Sequence, residues 1–303
     1  MSWTRRTSTR RTSLLAAALA LGVVAGPLVA SEANAAAPAR SVARPAIPPL
    51  KSAVVCATPP APIHLRDFNG DGRTDAAVFR PVDGTWHING MATVQFGQNL
   101  DIPVPADYNN DKITDLAVFR PSTGIWYMRG VGAIQFGAQG DVPMAGDYLG
   151  TGHIQLAVFR PSTSTWYIRG VGAVQWGQCG DLPVSFAVPG TTRLVPSVFR
   201  PGAAGTWFIK GVETVVFGTT GDVPIPHRYV GTGEQLAVYR PGATPTWFIR
   251  GVGTIFFGTT NDLPVPGNYG GSSHIATFRP SDGSWNIQNG ASVVIGAIGD
   301  IPV

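Results

Sequence analysis

The sequence has 303 residues, of which 44% are hydrophobic and only 13% charged, with 38 glycines and 26 prolines. So many turn-forming residues and so few charges exclude a helical protein, and the regular recurrence of apolar residues between the turns excludes a disordered chain. The net charge of +4 comes largely from arginines near the start of the chain. It therefore does not indicate a nucleic-acid-binding surface.

Residues 1–35 have the three parts of a secretory signal peptide. Four arginines before residue 12 precede an apolar run at 14–24, and Ala33-Asn34-Ala35 supplies a small-residue cleavage site. The segment 9–15 also resembles a twin-arginine export motif, with Ser13 where that motif prefers an aromatic residue. Cleavage would lower the net charge to +1, and no later apolar stretch reaches the roughly 20 residues that span a bilayer. We expect a secreted or cell-envelope protein without a membrane span.

Residues 36–60 are rich in alanine and proline and predict a flexible linker. Residues 61–303 then contain six copies of one unit of about 40 residues. Each copy has an Arg-Pro pair followed six or seven residues later by tryptophan, and then an Asp-x-Pro element. The arginines are Arg80, Arg120, Arg160, Arg200, Arg240 and Arg279, and the aspartates are Asp101, Asp141, Asp181, Asp222, Asp262 and Asp300.

Each unit predicts four short strands, because β-branched and aromatic residues alternate between turn clusters. In the second unit we place them at 104–108, 115–120, 125–129 and 133–136. The turn at 121–124 sets Phe119 opposite Trp126 as an aromatic cross-strand pair. Four strands in about 40 residues, repeated six times, predict an all-β protein, a six-bladed β-propeller of four-stranded blades.

A seven-bladed ring and an open repeat array are the alternatives. The closed ring is favoured because the sequence ends at 300–303, where the incomplete first strand at 62–66 would continue. The terminal units also lack the polar character that caps an open array. We expect a monomer.

The loop between the first two strands of unit 1 predicts a calcium site. It reads Asp67-Phe68-Asn69-Gly70-Asp71-Gly72-Arg73-Thr74-Asp75. Oxygen ligands at positions 1, 3, 5 and 9, a carbonyl at position 7 and glycine at position 6 suit calcium. The predicted ligands are Asp67, Asn69, Asp71, the Arg73 carbonyl and Asp75, and in unit 2 Asp107, Asn109, Asp111, the Ile113 carbonyl and Asp115.

The second site is predicted to be weaker, because Lys112 replaces the turn glycine and would need a positive φ. Later loops lose the ligands: unit 3 keeps Asp147 but has Gln155 at position 9, and units 4 to 6 begin with Ala187, Arg228 and Asn268. We therefore expect two calcium ions. The alternative is that the Asp-rich loops are solvated turns without metal.

These loops, the apolar strands that follow them and the Phe-Gly element resemble FG-GAP or VCBS-type repeats, the units of integrin-alpha-like propellers. The resemblance covers 61–303. It departs from the family pattern in having Phe-Arg-Pro in place of Gly-Ala-Pro, and six units where such rings usually have seven. The resemblance implies an extracellular, calcium-stabilised binding or adhesion module and implies no reaction. We expect its partner to be carbohydrate or a surface protein.

The six arginines listed above are also candidate ligand-binding residues, since a repeated Arg and Trp pair could form lectin-like sugar sites between blades. The structural interpretation is favoured, because the hairpin register places Arg and Trp at adjacent positions that face opposite ways. The six aspartates are expected to hold the turn backbone.

An enzyme would need residues that break the repeat. The candidates are Asp83, Asp282, Glu213, Glu234, His64, His153, His227 and His274. None has a partner close in sequence, and no zinc spacing or Gly-x-Ser-x-Gly turn occurs. The preferred interpretation is a binding module. A polysaccharide-cleaving enzyme with a composite loop site and a passive envelope component are the alternatives.

The two cysteines, Cys56 in the linker and Cys179 in unit 3, predict a disulfide bond in an exported protein. Unpaired thiols are the alternative. The 11 residues from Cys56 to Asp67 reach up to about 40 Å when extended, which is enough to cross one face of a propeller.

Overall fold

The computed structural model describes residues 66–270 and 274–303. This part of the chain forms six four-stranded antiparallel sheets and has no helix. It accordingly contains no helix long and apolar enough to cross a membrane. The predicted signal peptide and linker lie outside the described residues. The six sheets are the blades of a β-propeller, so the predicted fold class and blade number are confirmed.

The strands are numbered in chain order. Blade 1 consists of β1 (Ala77–Arg80), β2 (Thr85–Ile88), β3 (Val94–Gln95) and β24 (Ile301–Pro302). Blade 2 consists of β4 (Ile102–Pro103), β5 (Ala117–Arg120), β6 (Ile125–Met128) and β7 (Gly132–Gln135). Blade 3 consists of β8 (Val142–Pro143), β9 (Ala157–Arg160), β10 (Thr165–Ile168) and β11 (Gly172–Gln175).

Blade 4 consists of β12 (Leu182–Ala187), β13 (Leu194–Arg200), β14 (Thr206–Ile209) and β15 (Glu213–Val216). Blade 5 consists of β16 (Val223–Pro224), β17 (Ala237–Arg240), β18 (Thr246–Ile249) and β19 (Gly253–Phe256). Blade 6 consists of β20 (Leu263–Pro264), β21 (Ala276–Arg279), β22 (Ser284–Ile287) and β23 (Ser292–Val294).

Blade 1 joins the two ends of the repeat region. Strand β24 pairs with β1 in the register Phe79↔Ile301. The Val303 N–H donates to the Ala77 carbonyl at 3.0 Å, and the Asp75 N–H donates to the Arg66 carbonyl at 2.8 Å. The segment that pairs with β1 is therefore built from both ends of the repeat region: residues 301–303 begin it and Arg66 continues it. This pairing closes the ring as predicted.

The strand bounds predicted for blade 2 were partly wrong. Its first strand is Ile102–Pro103, two residues before the predicted start, and beyond it only Ala106 forms an isolated bridge with Asp115. The second strand begins at Ala117. Ile102 and Pro103 pair with Phe119 and Val118 of the second strand. The Asp-x-Pro element therefore begins the first strand of the next blade.

The hydrophobic core lies between adjacent blades. In every blade the tryptophan of the third strand is fully buried and stands opposite the phenylalanine or tyrosine of the second. The Phe119 and Trp126 ring centroids are 5.3 Å apart, as the hairpin prediction required. Val158 of blade 3 packs on this pair. Each blade thus buries its aromatic pair against the next sheet, which holds the blades around the ring.

Candidate functional site

The two repeated sequence elements bind each other in all six blades. Each Arg-Pro arginine donates from Nε and Nη2 to the two carboxylate oxygens of the Asp-x-Pro aspartate, over 2.7–3.2 Å. The pairs are Arg80–Asp300, Arg120–Asp101, Arg160–Asp141, Arg200–Asp181, Arg240–Asp222 and Arg279–Asp262. Such two-point pairs are strong and fix direction. The sequence offered the signal, since both elements occur once per unit with opposite charge.

The aspartates have a second role. Asp101 also accepts the Gln98 N–H at 3.1 Å, and the other five make the equivalent bond. This confirms that they hold the turn backbone. The bond to Asp101 raises the pKa of Arg120, and its guanidinium lies 4.3 Å from the centre of the Tyr127 ring. Because the arginines are engaged in the framework, ligand binding by this series stays a prediction.

The Asp-rich loop of blade 1 turns its carboxylates toward its own backbone. Asp67 accepts the N–H groups of Gly70 at 2.6 Å and Gly72 at 2.7 Å, and Asp75 accepts that of Phe68 at 2.8 Å. Burial, together with the charges of Asp71 and Asp67, raises the pKa of Asp75. The predicted oxygen ligands of this loop are therefore close enough to repel one another.

The loop of blade 2 has the same arrangement, with Asp111 and Lys112 donating their N–H groups to Asp107. Lys112 has a φ of 72°, the left-handed conformation expected where it replaces glycine. Within residues 66–270 and 274–303, no three carboxylate, imidazole or thiol groups are arranged to hold a metal ion. The ten predicted ligands stay a prediction.

The loop of blade 3 keeps the same frame with fewer acids. Asp147 accepts the N–H groups of Gly150 and Gly152, and Gln155 Oε1 accepts the Tyr148 N–H at 2.7 Å. An amide oxygen thus replaces the carboxylate at position 9. The shape of the loop therefore does not depend on a complete set of calcium ligands.

Neighbouring loops are tied around the ring by a repeated bond. The Asp67 N–H donates to Thr114 Oγ1 at 3.0 Å, and the Asn268 N–H donates to Thr74 Oγ1 at 2.8 Å. Between blades 4 and 5 the acceptor is Glu234 Oε2, which receives the Ala187 N–H at 2.5 Å. A carboxylate therefore takes the place of a threonine hydroxyl.

A cavity of about 310 Å³ lies among the loops of blades 4, 5 and 6. It is lined by 187–192, His227, Arg228, 232–234, Asn268 and His274. Three of the residues that break the repeat therefore meet here: His227, Glu234 and His274. Sequence reasoning named these residues but missed their proximity, because the contacts join different blades. The other candidates do not line this cavity; His64 lies outside the described residues.

The electrostatics of the cavity differ from those of the other loops. His227 is 8% exposed. Burial, together with the nearby His274, Arg228 and Arg66, lowers the pKa of His227 to about 4. Burial raises the pKa of Glu234 to about 7. At neutral pH the cavity therefore holds an uncharged buried imidazole beside a partly protonated carboxyl group.

Cys179 is not a free thiol. Cys56, its predicted partner, lies outside the described residues, so the bridge between them stays a prediction.

No protein family and no curated protein matches this chain. The solved structures that are similar to it include the following two. The crystal structure of BBS1N in complex with ARL6DN is 11% identical, with 80% of this chain and 94% of that chain covered and a TM-score of 0.48. The crystal structure of the V. cholerae biofilm matrix protein Bap1 is 16% identical, with 63% of this chain and 37% of that chain covered and a TM-score of 0.33. Neither similarity is close enough to support an inference about function.

Proposed function

We propose that this chain is an exported, calcium-stabilised propeller that binds carbohydrate or a surface protein as a binding or adhesion module. The observation that carries the proposal is the contrast between blades and loops. The Arg–Asp and aromatic pairs recur in all six blades, whereas the loops between first and second strands differ from blade to blade. A rigid framework that presents varied loops is a common arrangement for binding.

Calcium would bind in the loops of blades 1 and 2. The first loop brings three carboxylates, the Asn69 amide oxygen and the Arg73 carbonyl onto nine residues, the hard oxygen donors that calcium prefers. Burial raises the pKa of Asp75, and repulsion from Asp71 and Asp67 adds to the shift. A divalent cation would relieve that repulsion. The resemblance to FG-GAP or VCBS-type repeats supports the same role.

The ligand would contact the loop face, which is the surface formed by the loops between the first and second strands of the blades. The sides of the blades offer fewer free groups. The repeated arginines already donate to buried aspartates, and the tryptophans are fully buried. The loops, in contrast, expose polar side chains that differ around the ring. A single extended partner could therefore meet a distinct surface above each blade.

The test is a glycan array and a pull-down from extracellular material, each with the purified protein in calcium and in chelator. Saturable binding that weakens in chelator supports the proposal. Turnover of a polysaccharide without saturable binding would favour the enzyme alternative instead, and neither binding nor turnover would indicate a passive envelope component.

A further inference from the structure

His227 fills a position that is occupied by a small residue in blades 2 and 3 and by Arg66 and Phe186 in blades 1 and 4. The isolated bridge between the first and second strands involves Ala106 in blade 2, Gly146 in blade 3 and His227 in blade 5. The bridge therefore forms with a methyl group or a hydrogen as the side chain. An imidazole is not needed for the fold at this position.

The other two cavity residues that break the repeat, His274 and Glu234, stand where other blades have uncharged residues with the same backbone contacts. The Gly267 N–H donates to the His274 carbonyl, which places His274 where Gln155 stands in blade 3. Glu234 accepts a neighbouring N–H where Thr114 does so between blades 1 and 2. Glutamine and threonine thus meet the structural need without an ionisable group.

The groups that face the cavity favour an anion. The His227 and His274 ring centroids are 5.9 Å apart. Arg228 lines the cavity and interacts electrostatically with both His227 and Glu234, and Arg66 adds a positive charge near His227. Glu234 is the one acid among the lining residues, and its raised pKa of about 7 reduces its negative charge at neutral pH. A carboxylate entering the cavity would therefore be attracted.

The rest of the lining suits a sugar ring. Thr191, Thr192 and Thr232 place hydroxyl-bearing residues at the cavity, and Val188 and Pro189 place apolar ones. A volume of about 310 Å³ is at the lower end of the range for ligand pockets, which fits one ring rather than a long segment.

We propose that the cavity among the loops of blades 4, 5 and 6 binds a uronic acid unit, a sugar that carries a carboxylate. Arg228 pairs with the carboxylate, and Glu234 and the imidazoles bond the ring hydroxyls. The His274 Nδ1 lies 3.2 Å from the Gly267 carbonyl, which can only accept, so Nδ1 donates and Nε2 is free to accept when the ring is neutral. The inference rests on the proposed function and names the ligand class of the same loop face.

The first experiment titrates the purified protein with sodium glucuronate and sodium galacturonate by calorimetry, with glucose and acetate as matched probes. Saturable binding of a uronate at one site, at least about tenfold tighter than that of glucose or acetate, is expected, because glucose lacks the carboxylate that pairs with Arg228 and acetate lacks the ring hydroxyls. No saturable uronate binding would overturn the proposal, as would equal binding of glucose. Equal binding of acetate would show that the cavity recognises only the carboxylate and would overturn its assignment to a sugar. A further titration with oligogalacturonate shows whether the cavity binds a uronate unit within a polymer or only the free sugar acid.

The repeat itself supplies the variants. Arg228→Gln should weaken uronate binding about tenfold or more, because Arg228 provides the exposed positive charge. Glu234→Thr copies Thr114 and keeps an acceptor for the Ala187 N–H, but it removes a bond to a ring hydroxyl, so it should weaken uronate binding less than Arg228→Gln does. If the Arg228→Gln protein binds uronate as the parent does, the site is elsewhere. The melting temperature of each variant confirms that it is folded.

A second readout follows His227 by nuclear magnetic resonance. A carboxylate bound beside this ring favours its protonated form, so saturating uronate should raise the pKa of His227. An unchanged pKa during saturable binding would place the uronate outside the cavity. If the glycan array finds a ligand that binds the Arg228→Gln protein with full affinity, the proposed function stands and only the cavity assignment fails.

Discussion

The blade cores and the strand-connecting loops behave as two different regions of the same repeat. Blades 2 and 5 have the same buried hairpin, with Trp126 opposite Phe119 and Trp247 opposite Tyr239. Their loops keep the same backbone frame but differ in charge, since blade 2 has four acidic or amide ligand residues where blade 5 has Arg228 and Glu234. Loop sequence can therefore change without loss of the blade, and chemistry that differs from the repeat is concentrated where the fold does not need it.

The largest effect should come from the core. Trp126→Ala removes a fully buried side chain that packs at a tilt against Phe119 and donates from Nε1 to the Phe136 carbonyl at 2.7 Å. We expect a loss of about 3–5 kcal/mol in the free energy of unfolding. Urea unfolding measures it, with Val82→Ala, which is 76% exposed, as the control. A loss below about 1 kcal/mol would contradict the packing described here.

The Arg–Asp framework should come next. Arg120→Ala leaves Asp101 buried, with the Gln98 N–H as its remaining bond among those described here. Breaking such a pair should cost about 2–4 kcal/mol. Arg129→Ala, an exposed arginine on the same hairpin, should change stability by less than about 0.5 kcal/mol. Equal effects of the two substitutions would show that the ion pair is not a structural element.

The sequence predicted the blades better than the loops, and the reason is physical. Hairpin partners such as Phe119 and Trp126 are close in sequence, so turn length fixes their register. The partnership of Arg120 with Asp101 was missed, although both residues belong to repeated elements, because the strand entry was placed two residues late. The meeting of Glu234 with His274 depends on how neighbouring blades are arranged, which no local pattern encodes.

The proposed calcium binding should have a smaller effect. Calcium at millimolar concentration should stabilise the protein by about 1–3 kcal/mol by mass action, for sites with dissociation constants of about 10⁻⁴–10⁻³ M. Asp71→Ala should remove more of this gain than Asp111→Ala, because Lys112 strains and charges the second loop. Melting temperatures in calcium and in chelator measure the gain, and identical curves would reject metal at both loops.

A glycine substitution tests the strain separately. Lys112→Gly should relieve the positive φ of 72° and raise stability by about 0.5–1 kcal/mol even in chelator, with a further gain in calcium. Thr151→Ala in the loop of blade 3 is the control, since that loop lacks the acids at positions 5 and 9. A calcium response in the control equal to that of Lys112→Gly would argue against the second site.

The smallest effect is a pH dependence with two opposing parts. Glu234, with its pKa raised to about 7 from 4.5, contributes stability that is complete below pH 4.5 and is lost as pH rises to 7. His227, with its pKa lowered to about 4 from 6.5, contributes stability that is complete above pH 6.5 and is lost as pH falls to 4. The two slopes oppose each other between pH 4.5 and 6.5.

Substitutions should separate these slopes. Relative to the parent, Glu234→Thr should lose stability on acidification from pH 6.5 to 4, and His227→Ala should lose it as pH rises from 4.5 to 7. Melting temperatures between pH 4 and 8 test this. Parallel profiles for both variants and the parent would mean that neither group is perturbed.

We propose that the blades carry the fold and that the divergent loops carry the binding. The most direct test is one combined variant, His227→Ala, Glu234→Thr and His274→Gln, which restores residues that other blades use at these positions. Its uronate affinity and melting temperature are measured beside those of the parent at pH 7. The account predicts a melting temperature within a few degrees of the parent and uronate binding weakened at least tenfold. Full uronate binding in this variant would contradict it.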